Sequence, residues 1–228
     1  MEKIKMNLQF FGGRGAGGGG DGESLSSGSG KRVNIKNETD VWSFRHNRNN
    51  EPFVDAINTS ARDMQKDFPD LMDTVTRINA TEFGGADKRG TLGVYGNGRV
   101  GLNTNYTNVD KMNKVYDDGV KSGFHPSRGN KNGTQAVAYH ELGHALTDNI
   151  AQKMGVKDLD AASKKIVNDA YKASGGKGGT KAWAGGISGY AKENFAECVA
   201  EAVADHYCNG SKASKQSKAI MRELNKYK

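Results

Sequence analysis

Apolar residues recur at helical spacing from Glu51 onward. Phe53, Ile57, Ala61, Met64 and Phe68 fall on one stripe, and Pro52 suits a first helical turn. Pro69 ends that helix or starts another, and Leu71, Met72 and Val75 predict a short second one. Residues 76–83 read as strand, with Ile78 and Phe83 as apolar content. Next, Leu92-Gly93-Val94-Tyr95-Gly96 and Arg99-Val100-Gly101-Leu102 flank Asn97-Gly98, the dipeptide favoured by a two-residue type I′ turn. This predicts a β-hairpin, which serves either as a wall of the core or as an edge that holds a peptide by main-chain pairing. Residues 103–133 are polar and turn-rich, with one short helix predicted around Asp110–Asp117. A long helix follows over Thr134–Met154, with Thr134 as N-cap and Gly155 as the stop. Ala138, Leu142, Ala145, Leu146 and Ile150 form its apolar face. Further helices are predicted over Asp158–Tyr171, over Tyr190–Asp205 and from about Ser211. The glycine-rich run from Gly175 to Gly189, which includes Trp183, is a linker or a lid.

Composition changes the picture chiefly at the N-terminus. Much of the glycine (31 residues) lies in the first thirty positions, where a Gly/Ser-rich sequence has too little apolar surface to offset its ordering entropy. Residues 1–35 are therefore expected to form a disordered arm, and 36–228 one domain. Leu8-Gln9-Phe10-Phe11 is the arm's apolar cluster, an expression scar or a docking peptide. The net charge of +7 admits a nucleic-acid partner, but no aromatic-interleaved basic motif or zinc-finger spacing supports one. Lys212, Lys215, Lys218 and Arg222 read as a solvated helix face. Cys198 and Cys208 lie about 15 Å apart along one helix, beyond the reach of a disulfide, so a reducing compartment is expected. No signal peptide or membrane span is evident.

The chemistry centres on His140-Glu141-Leu142-Gly143-His144. Residues four apart share a helix face, so both imidazoles can reach one Zn²⁺ at about 2.0–2.1 Å. Glu141, about 100° round the helix, can approach the metal's water without binding the metal. This is the H-E-x-x-H arrangement of zinc peptidases. Gly143 in mid-helix costs about 1 kcal/mol relative to Ala, which a close approach by another segment would explain. A catalytic zinc normally keeps a third protein ligand. Thr147 and Ile150 stand where a metzincin needs Gly and His, which excludes that class. Glu197, Glu201 and Asp205 form an acidic stripe on a helix otherwise rich in Ala and Val, a costly burial unless a cation meets it. Asn194 and Glu197 also fit a capping box, in which case Glu201 would be the ligand. His46 and His125 are set aside as solvated loop histidines.

The pairing of that motif with Tyr190-Ala191-x-x-Asn194-x-x-Glu197-x-x-Ala200-Glu201 resembles the zincin-like peptidase domain of phage head-morphogenesis proteins. It is also similar to the peptidase domain of anthrax lethal factor, a gluzincin. The resemblance implies zinc ligands His140, His144 and Glu197, with Glu141 as general base. It further implies Tyr190 as a catalytic tyrosine and Glu201 as the carboxylate that orients a zinc-binding histidine. Cys198-Val199 departs from the two bulky aromatics common there. Asn7 to Gly15 resembles the openings of structural proteins from phages and prophages of Gram-positive bacteria.

The expected architecture is an α+β zincin-like metallopeptidase domain, a small sheet or hairpin packed on the active-site helix and further helices. The expected activity is zinc-dependent endoproteolysis, of phage or prophage origin. Its partners would be a protein or peptide substrate, with capsid or scaffold proteins among the candidates. Its place would be the bacterial cytoplasm or the virion. The alternatives are a non-catalytic head-assembly protein stapled by zinc and a host-targeting protease effector. Glu141 and Tyr190 together favour an enzyme, since a structural site needs neither.

Overall fold

A computed structural model describes residues 9–10, 51–75, 77–81, 83 and 90–228 of the chain. Helix α1 (Glu51–Asp67) is followed by a 3-10 turn at Pro69–Asp73. Strands β2 (Arg77–Thr81), β3 (Gly93–Gly96) and β4 (Arg99–Asn103) come next. Together with a two-residue strand β1 (Gln9–Phe10) they form one sheet of order β1-β3-β4-β2. The rest is helical: α2 (Val109–Lys121), α3 (Gly133–Met154), α4 (Leu159–Ala173), α5 (Thr180–Ala184), α6 (Phe195–Asn209) and α7 (Lys215–Leu224). The class is α+β. No helix among the described residues is long and apolar enough to cross a membrane. Apart from β1, the arm expected over 1–35 lies outside the described residues, as does His46.

The hairpin forms as its turn residues dictate. Asn97 and Gly98 both take positive φ (50° and 72°), as a type I′ turn requires. Tyr95 then faces Val100 and Gly93 faces Leu102 in an antiparallel register. Both outer edges of the hairpin are paired in parallel, β4 with β2 and β3 with β1. Phe53, Ile57, Ala61, Met64 and Phe68 are all buried, so the helical stripe of α1 is its core face.

Two helix readings need correction. The cap of α3 is Asn132, not Thr134: its side chain accepts from Gln135 N–H at 2.8 Å, and the Gln135 side chain accepts from Asn132 N–H at 3.1 Å. Gly155, with φ of 65°, ends the helix as expected. Nor is α3 amphipathic in practice. From Gly133 to Ala151 only Gln135 and Asp148 escape full burial, because α1, α2, the hairpin, α4 and α6 pack round it. A helix buried on every side must satisfy its polar groups internally, and α3 carries two histidines and a glutamate.

The approach expected at Gly143 is made by α6. A Cβ on Gly143 would lie 3.1 Å from both Ala200 Cα and Val203 Cβ. That contact sets α6 close enough for its carboxylates to meet the histidines of α3. In the segment before α6, Gly175 to Ala182 lie mostly at the surface, whereas Trp183, Ala184, Ile187 and Ser188 pack inward. Trp183 is buried, edge-on to Tyr171 with ring centroids 5.9 Å apart. Cys198 and Cys208 are both buried free thiols on α6.

Candidate metal centre

Two helices build the centre. From α3 come His140, Glu141 and His144; from α6 come Glu197 and Glu201, and all five are buried. His140 Nε2 and His144 Nε2 are 3.2 Å apart. Glu197 Oε2 lies 3.0 Å from the first and 3.4 Å from the second. A tetrahedral ion with bonds of about 2.0–2.1 Å spaces its donors about 3.3–3.4 Å apart, so this triangle has the edges such a site needs. Despite its closeness to both imidazoles, Glu197 Oε2 is in no aligned hydrogen bond. Converging donors without hydrogen-bond alignment are what a cation would reconcile. His140, His144 and Glu197 form a group able to hold a metal ion.

Helix capping and the approach to the histidines use different atoms of Glu197. Asn194 does cap α6, its side chain accepting from Glu197 N–H at 2.8 Å. That bond uses the backbone of Glu197 and leaves its carboxylate pointing at the histidines. Glu201, one turn on, sits behind the first imidazole: His140 Nδ1 is 2.9 Å from Glu201 Oε1. A carboxylate there holds the proton on Nδ1 and turns the Nε2 lone pair toward Glu197. Asp205, the third member of the stripe, takes no part. It accepts from Ser214 N–H, Ser217 Oγ–H and Asn209 Nδ2–H at 2.6–2.8 Å, and so ties α7 to α6.

Two further residues join the site, Ser188 without any sequence signal and His125 against the expectation for it. Ser188 donates to Glu201 Oε2 at 2.7 Å while accepting from Ala191 N–H at 3.0 Å. His125, expected to be solvated, is buried instead, with Nδ1 3.4 Å from Glu201 Oε1. Its ring stacks on Tyr116 at 4.9 Å and 8°. Two backbone bonds, Gly189 N–H to Gly123 C=O at 2.7 Å and Tyr190 N–H to Phe124 C=O at 3.0 Å, bring its loop to the site. Phe124 and Pro126 on either side of His125 were the one available sign that this loop turns inward.

Tyr190 begins a 3-10 turn at Tyr190–Lys192 and reaches the same cluster. Its ring lies 5.9 Å from that of His140 and 4.8 Å from that of Phe124. Burial, then the negative charges of Glu197, Glu141 and Glu201, holds its phenol far above the ordinary range. The hydroxyl therefore stays a proton donor. Glu141 is the least satisfied group of the site: burial pushes its carboxyl up to about 8, and its Oε1 has no hydrogen-bond partner. Strand β3 lies directly over it, since a Cβ on Gly93 would fall 2.6 Å from Glu141 Oε1. Burial alone would lower the His140 imidazole, but contacts with Glu197 and Glu201 overcome it and raise that group. Burial dominates at His144, which is lowered. Burial would raise the carboxyls of Glu197 and Glu201, but His144 and His140 hold the first, and His125 and His140 the second, well below their ordinary values.

All the residues singled out on α3 and α6 thus meet at one place except Asp205. No protein-family model, curated protein or solved structure matches the chain.

Proposed function

We propose that this chain is a zinc-dependent endopeptidase of the zincin type, of phage or prophage origin, acting on a capsid, scaffold or host protein. One observation carries the reading. The two imidazole nitrogens and the Glu197 oxygen form a triangle of 3.0–3.4 Å edges. Beside it lies a buried carboxylate, Glu141, with an oxygen in no hydrogen bond. Nitrogen and carboxylate donors in that spacing suit Zn²⁺, and a structural site would have no use for the fourth group.

When bound, zinc lowers the pKa of water to about 7 and polarises a carbonyl oxygen. The residues of the chain do the rest. Glu201 keeps the proton on His140 Nδ1, which leaves Nε2 free to coordinate. Glu141 takes a proton from the attacking water and passes it to the leaving amine. Burial raises its carboxyl to about 8 in the metal-free chain, and a cation alongside would favour the ionised form that accepts the proton. Tyr190, neutral across the working range, donates a hydrogen bond to the oxygen on which negative charge develops.

The test is zinc per chain by elemental analysis after chelator-free purification, in wild type and Glu197→Ala. About one zinc in the wild type and a large loss in the variant is expected, followed by peptide hydrolysis that Glu141→Gln abolishes. A folded wild type without zinc would overturn the reading.

A further inference from the structure

The strand over Glu141 has an edge whose occupant is this chain itself. In an antiparallel pair, hydrogen-bonded and non-bonded residue pairs alternate. Asn103 N–H donates to Leu92 C=O at 2.9 Å, and the register continues through Val94 with Gly101 and Gly96 with Arg99. Those residues of β3 spend their backbone groups on β4. The residues between them, Gly93 and Tyr95, turn their N–H and C=O groups to the opposite edge. Their side-chain positions share the face that lies on α3. Gly93 covers Glu141, and the Tyr95 hydroxyl donates to Asp148 at 2.7 Å. The open backbone groups nearest the candidate catalytic carboxylate are therefore those of Gly93 and Tyr95.

Strand β1 takes that edge. Gln9 stands opposite Val94 and Phe10 opposite Tyr95, in parallel. In a parallel ladder, the residue facing Val94 addresses the groups of Gly93 and Tyr95 on either side of it. Residues 11–50, rich in Gly and Ser over their first twenty positions, connect this strand to α1.

We propose that the β3 edge is a docking site for an extended peptide, and that residues around Gln9–Phe10 occupy it in competition with substrate. The peptide is held by main-chain pairing to Gly93 and Tyr95, the mode of strand addition to a sheet edge. Because the competitor is tethered, its effective concentration is on the order of millimolar, enough to mask a docking edge of ordinary peptide affinity. The inference rests on the peptidase reading for its effect on turnover, but not for the docking itself.

The experiment uses the full chain with Gln9→Pro and Phe10→Pro together; the first removes the N–H that faces Gly93, the second holds φ at about −65°, away from the strand conformation, and neither lies in the folded region. Amide hydrogen exchange, read residue by residue by NMR, reports the pairing. Exchange at Tyr95 is expected to accelerate at least ten-fold, while Val94 and Gly96, bonded to β4, stay protected. A labelled peptide of residues Asn7–Arg14 is expected to bind the double variant at least ten-fold more tightly than wild type. If the arm holds the edge about nine-tenths of the time, KM for an extended peptide falls about ten-fold in the variant with kcat unchanged. Unchanged exchange at Tyr95, or equal peptide binding by the two proteins, would overturn the proposal. Accelerated exchange and tighter peptide binding without hydrolysis by either protein would support the docked arm and count against the peptidase reading alone.

Discussion

Replacing Gly93 by Ala separates the roles of metal and base. The new Cβ would stand 2.6 Å from Glu141 Oε1 and 2.9 Å from its Cγ. Ordinary contact begins near 3.4 Å, so the carboxylate arm must move by roughly 0.8 Å or the strand must lift. The strand is the stiffer partner, pinned by its pairing to β4 and by the Tyr95–Asp148 hydrogen bond of 2.7 Å. Glu141 has an oxygen with no partner, so little holds it back. It will leave its rotamer at a cost of about 0.5–1.5 kcal/mol. A misplacement near 1 Å costs on the order of 10²-fold in rate, about 2.7 kcal/mol of barrier. Overpacking should also lower stability by about 1–3 kcal/mol. The three atoms nearest the new methyl group all belong to Glu141, none to His140, His144 or Glu197. Elemental analysis should therefore find the wild-type metal content while kcat/KM on a quenched peptide drops about 10²-fold. Full activity would refute the placement of Glu141 as base, and loss of zinc would refute the separation of the two roles.

Four further outcomes follow from the same geometry. Glu201→Gln should weaken zinc affinity about 10–100-fold in chelator competition, because an amide no longer fixes the proton on His140 Nδ1; His125→Phe, which keeps the stack on Tyr116, should produce a smaller loss of the same kind. Zinc uptake by chelated protein at pH 7.5 should release one to two protons per ion. His140, raised by its carboxylate contacts, and Glu141, near 8 by burial, both carry protons that the cation displaces. Calorimetry in buffers of different ionisation enthalpy reads that number, and a value of zero would place His140 neutral beforehand. Asp205→Ala should destabilise the fold by about 1–3 kcal/mol in urea, through the groups it leaves unpaired on α7, yet retain zinc. Metal loss there would extend the centre to the third carboxylate of the stripe.

Local patterns in the sequence were enough for most of the helices, the hairpin and half of the site, but not for strand β1 or the 3-10 turn at Tyr190–Lys192. The 3.6-residue period of Phe53 to Phe68, the Asn97-Gly98 turn and the Gly155 stop each depend on neighbours in the chain, and each forms as read. His140 and His144 share a face for the same reason: four residues on a helix are one turn. The acidic stripe of α6 shows where that logic ends. Glu197, Glu201 and Asp205 are equivalent by period, yet one faces Nε2 of His140, one faces Nδ1 and one ties the start of α7 to α6. Only the crossing of α6 over Gly143 distinguishes them, because helix packing sets which turn lies opposite which imidazole. His125 and Ser188 enter from loops whose course follows no period, and backbone bonds between distant segments carry His125 inward. The burial of α3 on every side was likewise decided by tertiary packing: a helix face is apolar or polar by sequence, but whether it meets solvent depends on what folds against it.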